Sequence, residues 1–506
     1  MAPDDTAPDD TAPDDTARSE SRPPEAPGHA PQEALQEAPG VAALDRLFAA
    51  QRAAYRAAPF PSFDERAANL DRIIRVAEAN EQRFIKAISA DFGNRSAHET
   101  VIAEIIVTVS GARLAKKNLK KWMRPRGVPT PLHMLPAKSR LEPQPLGVVG
   151  IISPWNYPVQ LALAPAVAAL AAGNRVLIKP SELTPHTSEV LREAIAAAFD
   201  ETTCAVVTGG VEVGRAFADI PFDHLLFTGS TAVGMRVAQA AARNLTPVTL
   251  ELGGKSPAII DESADLSRAT QSIAYGKMLN AGQTCVAPDY VLTPQARLRE
   301  TVEGIANAAR ALYPEIDTTD DYTSIVSDRH FERLRALVEE ARERGADVVE
   351  VGSANALHPQ RKLPLTLVVD PPMDLSLMRE EIFGPVLPVL SAASREAAVA
   401  HVNDGDRPLA LYWYGTDETA RDRVLHETVS GGVTVNDALW HVAQENLPFG
   451  GVGKSGIGVY HGEAGFETFS HLKPVFLQSR FSSGTLLHPP YTDKTDKIIS
   501  MVRKIL

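Results

Sequence analysis

The sequence predicts an α/β protein with a doubly wound parallel sheet. Five short runs rich in β-branched residues follow one another along the chain, namely GVVGIISP, RVLIKP, CAVVTGG, HLLFTGS and PVTLELGG. The stretches between them, near 158–173, 185–199, 211–219 and 231–243, carry Ala/Leu-rich helical patterns. Nearly continuous apolar strands that alternate with helices are typical of a parallel sheet covered by helices on both faces.

The first 40 residues differ in composition from the rest of the chain. They contain a threefold PDDTA-type repeat, eight prolines, ten acidic residues and two arginines, with no aromatic residue. Such a segment buries too little apolar surface to offset the entropy lost on ordering. We therefore predict a disordered acidic tail over 1–40.

The remaining elements follow in chain order. Residues 41–126 have helical apolar spacing and predict a helical layer on one face of the sheet. A Pro-rich stretch, 127–146, interrupts this pattern before the first strand. After the fifth strand a second mixed α/β region runs to about Phe449, and HLKPVFLQS then reads as an edge strand.

The charge distribution argues against nucleic-acid binding. The formal net charge is −12, and residues 1–40 account for −8 of it. The rest is nearly neutral and carries no basic surface of the kind that nucleic acid requires. The short basic cluster from Lys116 to Lys121 is better explained as the solvated face of a helix.

Cysteine usage and apolar runs point to the cytoplasm. The two cysteines, Cys204 and Cys285, have no CxxC spacing, so neither a disulfide framework nor a metal site is indicated. The N-terminus lacks the apolar segment of a secretory signal. The longest apolar run, 159–172, contains Pro165 and is too short to span a membrane.

Two strand ends carry residues suited to a phosphate or a ribose. FTGSTAVG places Gly229, Ser230 and Gly234 at a strand-to-helix turn, where backbone amides meet anions. A glycine-rich turn that needs positive φ explains this spacing equally well. LIKPSE places Lys179 and Glu182 three residues apart, which suits two ribose hydroxyls, although a surface ion pair is the commoner origin of such a pattern.

The two cysteines differ in their surroundings. Cys285 lies in NAGQTCVAPD, a polar loop where a thiol is accessible, whereas Cys204 lies in an apolar strand and reads as a small buried residue. The loop favours Cys285 as a nucleophile if a depressed pKa or a nearby base activates it. GVGKSG at 451–456 is rejected as a P-loop because Pro448 stands where a glycine is needed and no apolar strand precedes it.

Taken together, the motifs resemble the aldehyde dehydrogenase superfamily. SPWNYP, IKPSE, FTGSTAVG, LELGGKSP, GQTC, EEIFGPV and PFGGVGKSGIG occur in the family's order between about Val41 and Gln478. CVAPDY, PFGGVGKSGIGVYHG and FETFSH are similar to the branch that includes class 3 and coniferyl aldehyde dehydrogenases. The acidic N-terminal repeat has no counterpart in the family pattern.

The resemblance implies a mechanism with three catalytic residues. Cys285 would be the nucleophile that adds to the aldehyde carbon, and Asn156 would donate a hydrogen bond to the resulting oxyanion. Glu251 would be the general base for the water that hydrolyses the thioester to the carboxylic acid. A non-catalytic family member would be expected to lack one of these three, and all are present.

The same comparison implies the binding residues. NAD is the expected cofactor, with NADP also accepted, and no metal is implied. The cofactor-binding set is Trp155, Lys179, Ser181, Glu182, Gly229, Ser230, Gly234, Leu252, Glu381 and Phe383. The substrate-pocket set is Tyr157, Trp440 and Phe449. The expected substrate is an aromatic, coniferaldehyde-like or other extended apolar aldehyde, and the alternative is a fatty aldehyde.

The resemblance also divides the chain. It implies an NAD(P)-binding domain with the doubly wound parallel sheet over 41–126 and 147–249, and an α/β catalytic domain over 250–449. A small β oligomerisation arm would comprise 127–146 and 470–487, followed by a C-terminal tail over 488–506. The expected assembly is a homo-oligomer, with a dimer favoured, and the expected partners are small molecules without nucleic acid or membrane.

Overall fold

The computed structural model describes residues 39–352, 360–480 and 487–505. The predicted tail therefore lies outside the described residues, except that Pro39 and Gly40 already belong to the first helix. The helices are α1 (Pro39–Ala57), α2 (Phe63–Ala79), α3 (Glu81–Phe92), α4 (Ala97–Thr100), α5 (Val107–Trp122), α6 (Gln160–Ala172), α7 (Pro185–Ala198), α8 (Val211–Asp219), α9 (Thr231–Ala242), α10 (Leu266–Met278), α11 (Leu298–Leu312), α12 (Asp328–Glu343), α13 (Ser376–Arg379), α14 (Arg395–Asp404), α15 (Glu418–Glu427), α16 (Trp440–Ala443), α17 (Gly462–Thr468) and α18 (Asp493–Ile505).

The strands form three sheets. They are β1 (Arg126–Val128), β2 (Lys138–Pro145), β3 (Val148–Ile152), β4 (Arg175–Lys179), β5 (Cys204–Val206), β6 (His224–Thr228), β7 (Val248–Glu251), β8 (Pro257–Ile260), β9 (Tyr290–Pro294), β10 (Asp347–Val351), β11 (Leu365–Val369), β12 (Val386–Ala392), β13 (Ala410–Tyr414), β14 (Gly432–Val435), β15 (Gly456–Ile457) and β16 (Ser470–Leu477).

The five predicted strands make up most of a six-stranded sheet in the order β15-β7-β6-β3-β4-β5. Strands β3 to β7 are parallel, and only the short β15 runs antiparallel on the edge beside β7. Alternate strand residues face opposite helical layers. Val149 and Ile151 pack toward α2, α5 and α6, whereas Val148 and Leu225 pack toward α1, α8 and α9. The predicted doubly wound parallel sheet is confirmed.

The helix that follows β3 begins slightly later than its sequence signals suggest. Asn156 and Pro158 precede α6, which starts at Gln160, and Gly173 ends it in the left-handed conformation as expected for a glycine stop. The segment 153–159 is therefore a loop between β3 and α6. This loop carries three of the residues that the family resemblance assigns to the site, namely Trp155, Asn156 and Tyr157.

The second region contains a seven-stranded sheet in the order β10-β11-β12-β9-β8-β13-β14. Its strands are parallel except for β10, which pairs antiparallel with β11. Strands β9 and β12 are each preceded by a loop that approaches the carboxyl-terminal edge of the six-stranded sheet. The two sheets thus contribute opposite walls of one cavity.

The third sheet is small and antiparallel, with the order β1-β2-β16. Its strands lie in the two segments that the sequence assigns to an oligomerisation arm, and residues 481–486 of that arm are outside the described part. The proposed domain division and the oligomeric role of this sheet stay predictions. In the described ranges no helix is long and apolar enough to cross a membrane, and no group of His, Cys, Asp or Glu side chains there has the arrangement of a metal site.

Candidate active site

A cavity of about 240 Å³ lies between the carboxyl-terminal edge of the six-stranded sheet and the loops before β9 and β12. Because parallel strands end at the same edge, the loops after β3, β6 and β7 converge there. The cavity is lined by Pro154, Trp155, Asn156, Thr228, Gly229, Ser230, Glu251, Leu252, Gly253, Cys285, His330, Arg333, Glu381 and Phe383. Nine of the residues singled out from the sequence therefore meet in one place.

Cys285 stands on a tightly turned loop. The preceding residues Asn280, Ala281 and Gly282 all have positive φ, and a side chain at Gly282 would collide with the backbone of Gly384. This left-handed run turns the chain back sharply after α10, so that the thiol reaches the cavity. Cys285 itself is half-buried, whereas Cys204 is buried in β5 as its sequence context predicts.

The cavity does not lower the pKa of the thiol. Burial raises the pKa of Cys285 to about 12, and the carboxylates of Glu381 and Glu251 add to the shift. The sequence left two routes to activation open, a depressed pKa or a nearby base. Burial by the described residues disfavours the thiolate. The site therefore favours the second route, since Glu251 lies in the same cavity.

Glu251 is the last residue of β7 and is 2% exposed. Within the described structure neither carboxyl oxygen has a hydrogen-bond partner. Burial therefore raises the pKa of Glu251 well above its ordinary value. A buried carboxyl group without a partner is costly in a fold, and such a group facing a cavity is a candidate for acid–base chemistry.

Asn156 is held at both its backbone and its side chain. Its carbonyl oxygen accepts hydrogen bonds from Arg95 Nη1 at 3.2 Å and Asn280 Nδ2 at 3.1 Å. Its own Nδ2 donates to the carbonyl of Gln283 at 3.1 Å. An amide nitrogen carries two hydrogens, so this bond leaves one N–H for a ligand in the cavity.

The predicted ribose pair forms, but it is not an ordinary surface ion pair. Lys179 Nζ lies 2.8 Å from Glu182 Oε2, and Lys179 is 3% exposed. Burial raises the pKa of Glu182, but the hydrogen bond from Lys179 and a backbone hydrogen bond outweigh it and leave that pKa below its ordinary value. Ser181 lies between them, and its hydroxyl accepts the Leu183 N–H at 3.2 Å. These residues follow β4 on the same sheet edge, outside the cavity lining.

The turn after β6 has the features of an anion cradle. Ser230 is the N-cap of α9 and its side chain makes no capping bond, which leaves the first amides of the helix for a ligand. Gly229 and Gly234 permit close packing, because a Cβ at Gly234 would lie 2.6 Å from Leu252 Cδ2. The residues present therefore fit a dinucleotide pyrophosphate at the N-terminus of α9.

Glu381 and Phe383 form the wall opposite the sheet edge. Burial raises the pKa of Glu381 to about 8, Asp289 adds to the shift, and a backbone hydrogen bond from Gly254 opposes it. Phe383 has φ +52, and its ring lies 5.4 Å from that of Trp155. A conformation that L residues rarely adopt thus directs this ring to the cavity.

Five lining residues are not in the predicted set. Pro154, Thr228 and Gly253 lie within the quoted motifs, whereas His330 and Arg333 lie outside all of them. Both lie in the first turns of α12, and Arg333 donates to the carbonyl oxygens of Glu381 and Ile382. His330 packs at 5.1 Å against the ring of Trp155. The stretch SDRHFERL is an ordinary amphipathic helix start, so no sequence signal separates these two residues from the solvated positions beside them.

The three predicted substrate-pocket residues lie apart from this cavity lining. Tyr157 is buried, and its hydroxyl lies 2.6 Å from Thr284 Oγ1, one residue before Cys285. Phe449 is buried and stacks on His461 at 5.4 Å. Trp440 begins α16 and is 63% exposed. Their contact with a substrate stays a prediction.

Comparison with known proteins decides the family. The family model described as the aldehyde dehydrogenase family matches residues 28–475. The chain belongs to the aldehyde dehydrogenase family. It is an aldehyde-oxidising enzyme, and the expectation drawn from the seven ordered motifs is confirmed.

Relatives of this aldehyde dehydrogenase match over nearly its whole length. A protein of Pseudomonas aeruginosa described as a probable coniferyl aldehyde dehydrogenase is 49% identical over 92% of this chain and 97% of its own. The substrate-bound structure of Staphylococcus aureus AldH has a TM-score of 0.86 at 38% identity, over 91% of this chain and 99% of its own. A Mycobacterium tuberculosis aldehyde dehydrogenase complexed with NAD+ has a TM-score of 0.78 at 30% identity, over 89% and 91%.

Proposed function

We propose that this aldehyde dehydrogenase oxidises an aromatic, coniferaldehyde-like aldehyde to the carboxylic acid through a thioester on Cys285. The observation that supports this most directly is the convergence of Cys285, Glu251 and Asn156 on one cavity of about 240 Å³. A nucleophile, a base and an oxyanion donor are the complete set of roles for acyl chemistry. Bound NAD(P) would supply the hydride acceptor, held by the Lys179–Glu182 pair and the N-terminus of α9.

In the first half-reaction the Cys285 sulfur attacks the aldehyde carbon. The proton of the thiol passes to a base, for which Glu251 is the candidate in this cavity, and the carbonyl oxygen becomes an oxyanion beside the free N–H of Asn156 Nδ2. A donor in this position is worth about 10²–10³ in rate. Loss of hydride from the tetrahedral carbon then leaves a thioester on the sulfur.

In the second half-reaction Glu251 takes a proton from water as the water attacks the thioester. The carbon–sulfur bond breaks, the carboxylic acid leaves, and the thiol is restored. Burial raises the pKa of Glu251, and a carboxylate with a raised pKa is a stronger base near neutral pH than one in bulk water. Because Glu251 is 2% exposed, few water molecules other than the attacking one can reach its carboxylate.

We expect NAD to be preferred over NADP by about tenfold or more in kcat/KM, since a like charge beside a phosphate costs more than 1.4 kcal/mol. Glu182 remains ionised beside the predicted ribose site, so it would meet the 2′-phosphate of NADP as a like charge. Glu182→Gln should narrow the gap mainly by lowering the KM for NADP. Steady-state kinetics with both cofactors measures it.

The matched control for this prediction is Glu189→Gln. Glu189 is an exposed glutamate in α7 that pairs with Arg192. The substitution therefore removes one negative charge from the same region without changing the ribose site. It should leave the NAD to NADP ratio unchanged. Equal kcat/KM with both cofactors in the unmodified enzyme would contradict the role given to Glu182.

The aromatic substrate is supported by the Pseudomonas aeruginosa relative and by the rings around the loops that carry the catalytic residues. Trp155 lines the cavity, and Tyr157 contacts the residue before Cys285. We expect coniferaldehyde to exceed acetaldehyde at least tenfold in kcat/KM, because burying an aromatic ring adds about 25 cal/mol per Å². Coniferaldehyde, benzaldehyde, acetaldehyde and a long-chain alkanal form the panel, followed by nicotinamide absorbance.

Two results of that panel would change the proposal. A higher kcat/KM for the long-chain alkanal than for coniferaldehyde selects the fatty-aldehyde alternative. Acetaldehyde outperforming both would remove the role proposed for the rings.

We also propose a cytoplasmic homodimer. Both cysteines are free thiols, which suits a reducing compartment. The apolar side chains of Phe476 and Leu477 are exposed at the end of β16 in the small sheet, and exposed apolar groups on an edge strand suit a subunit contact.

A further inference from the structure

We propose that the buried pair Arg95 and Glu104 positions Asn156 for its role as oxyanion donor. The inference rests on the function proposed for Asn156 and adds two residues to it. Neither residue lines the cavity, so both would act through Asn156 and not on the substrate itself.

Arg95 reaches the site from the helical layer. Its side chain is fully buried, and Nη1 donates to Glu104 Oε1 at 2.6 Å and to the carbonyl oxygen of Asn156 at 3.2 Å. The guanidinium also lies over the rings of Tyr157 at 4.9 Å and Phe92 at 5.5 Å. One planar group therefore contacts the carbonyl of Asn156, in the loop before α6, and the ring of the next residue, Tyr157.

Glu104 holds the next part of the same loop. It lies in a short π-helical segment, Val101–Ile106, between α4 and α5, a local geometry that is rare and frequent at functional sites. Its Oε2 accepts hydrogen bonds from the backbone amides of Val159 at 2.7 Å and Gln160 at 3.0 Å. Those amides are at the start of α6, where a carboxylate is favoured. The pair thus holds both ends of the segment 156–160.

The loop that leads to Cys285, residues 279–285, supplies the other contacts that hold Asn156. Asn280 Nδ2 donates to the same Asn156 carbonyl as Arg95, and to the carbonyl of Gln283 as well. The side-chain amide of Asn156 is then tied to Gln283, two residues before Cys285. Arg95 and Asn280 hold the carbonyl of Asn156, and Gln283 holds its side-chain amide. These contacts fix the orientation of the remaining N–H of Asn156.

Stability alone does not account for this arrangement. A buried ion pair contributes about as much as apolar side chains of similar volume, or less. Arg95 bears an additional cost, because its Nε and Nη2 are buried and have no hydrogen-bond partner in the described structure. The Arg95–Glu104 pair is costly to bury, and Arg95 donates to the backbone of the predicted oxyanion donor. Positioning of Asn156 explains the pair better than stability does.

The test compares Arg95→Met/Glu104→Gln with the same double change in an Asn156→Ala background. The double variant removes the buried charge and the donor to Asn156, while the glutamine oxygen still accepts from the start of α6. Arg66→Met is the matched control, since Arg66 is also buried and donates to the carbonyls of Ala171 and Ala172 at the opposite end of α6. Arg95→Lys serves as the conservative variant if the double variant does not fold.

The expected loss in kcat/KM is about 10- to 100-fold for Arg95→Met/Glu104→Gln, the size of effect that a displacement of about 1 Å produces. NAD affinity, measured by quenching of protein fluorescence, should be unchanged. In the Asn156→Ala background the double change should cost less than about twofold, because the group being positioned is gone. Arg95→Lys should retain more activity than the double variant, and Arg66→Met should lower only the melting temperature.

Four results would overturn the inference. The first is an equal loss in both backgrounds, and the second is an equal loss from Arg66→Met; either would show a structural role. The third is full kcat/KM in folded Arg95 variants when Asn156→Ala lowers kcat/KM strongly. That result would rule out the positioning role of Arg95 but would leave the proposed function of Asn156 intact. A full kcat/KM for Asn156→Ala alone would instead remove both.

Discussion

Cys285→Ala should abolish NADH formation while cofactor binding persists. This is the largest effect that the proposed mechanism predicts, since no hydride can leave the aldehyde carbon before the sulfur has added to it. Removal of a covalent nucleophile typically lowers kcat by a factor on the order of 10⁶. The absorbance of NADH measures turnover, and quenching of protein fluorescence by NAD measures binding.

Cys204→Ala is the control for this variant. Cys204 is buried in β5, and burial raises the pKa of its thiol to about 12 with no charged neighbour contributing. Its removal should lower stability by about 1 kcal/mol or somewhat more, as for other small buried groups, and should leave kcat unchanged. Turnover by Cys285→Ala at a normal rate, or its loss in Cys204→Ala, would contradict the assignment of the nucleophile.

Glu251→Gln should slow steady turnover by about 10²–10⁴, the usual contribution of a general base. Addition of the thiol and loss of hydride precede the attack of water, so both steps would still occur, and they would be slower if Glu251 also takes the thiol proton. Rapid mixing with aldehyde and NAD should give a burst of NADH approaching one per active site, followed by a very slow steady rate. Stopped-flow absorbance separates the two phases.

The pH profile adds a check on the same residue. A base acts only when deprotonated, and burial raises the pKa of Glu251 well above its ordinary value. The kcat of the unmodified enzyme should therefore rise as pH increases through a range well above 4.5, and this rise should be absent from the steady rate of Glu251→Gln. If Glu251→Gln gave neither a burst of NADH nor an acyl group on Cys285, despite normal cofactor binding, Glu251 would be assigned to thiol activation or to structure.

The parallel sheet was predictable because its strands are buried on both faces. Runs such as GVVGIISP have no polar alternation to confuse with a surface strand, and the first four runs are each followed by a helix of ordinary length. The edge strand β15 was not predictable. It is two residues long, comes from a glycine-rich turn, and pairs with β7 through a return of the chain from far along the sequence.

The convergence of Cys285, Glu251 and Asn156 on one cavity was predictable from motifs, but their electrostatics were not. Cys285 stands in a polar loop in the sequence, yet the fold buries the thiol beside two carboxyl groups and raises its pKa. Lys179 likewise appeared to belong to a surface ion pair until the fold placed it inside. Burial depends on distant segments, so local sequence does not specify it.

His330, Arg333, Arg95 and Glu104 show the same limit. His330 and Arg333 lie on a helix of ordinary spacing, Glu104 lies in a short π-helical segment, and Arg95 lies in the loop before α4. Their roles arise only where these segments meet the loops that carry Asn156, Cys285 and Glu381. Trp440 is the opposite case, because the family resemblance assigns it to the substrate pocket and the fold leaves its side chain largely exposed.

The most direct test of the thioester is the mass of the Glu251→Gln variant after mixing with coniferaldehyde and NAD. Denaturation after the burst, digestion and mass spectrometry should find the acyl group on the peptide that contains Cys285, in an amount equal to the NADH of the burst. The doubly changed Cys285→Ala/Glu251→Gln protein should carry none. A full burst without acyl mass at Cys285, or acyl mass on another peptide, would contradict the mechanism.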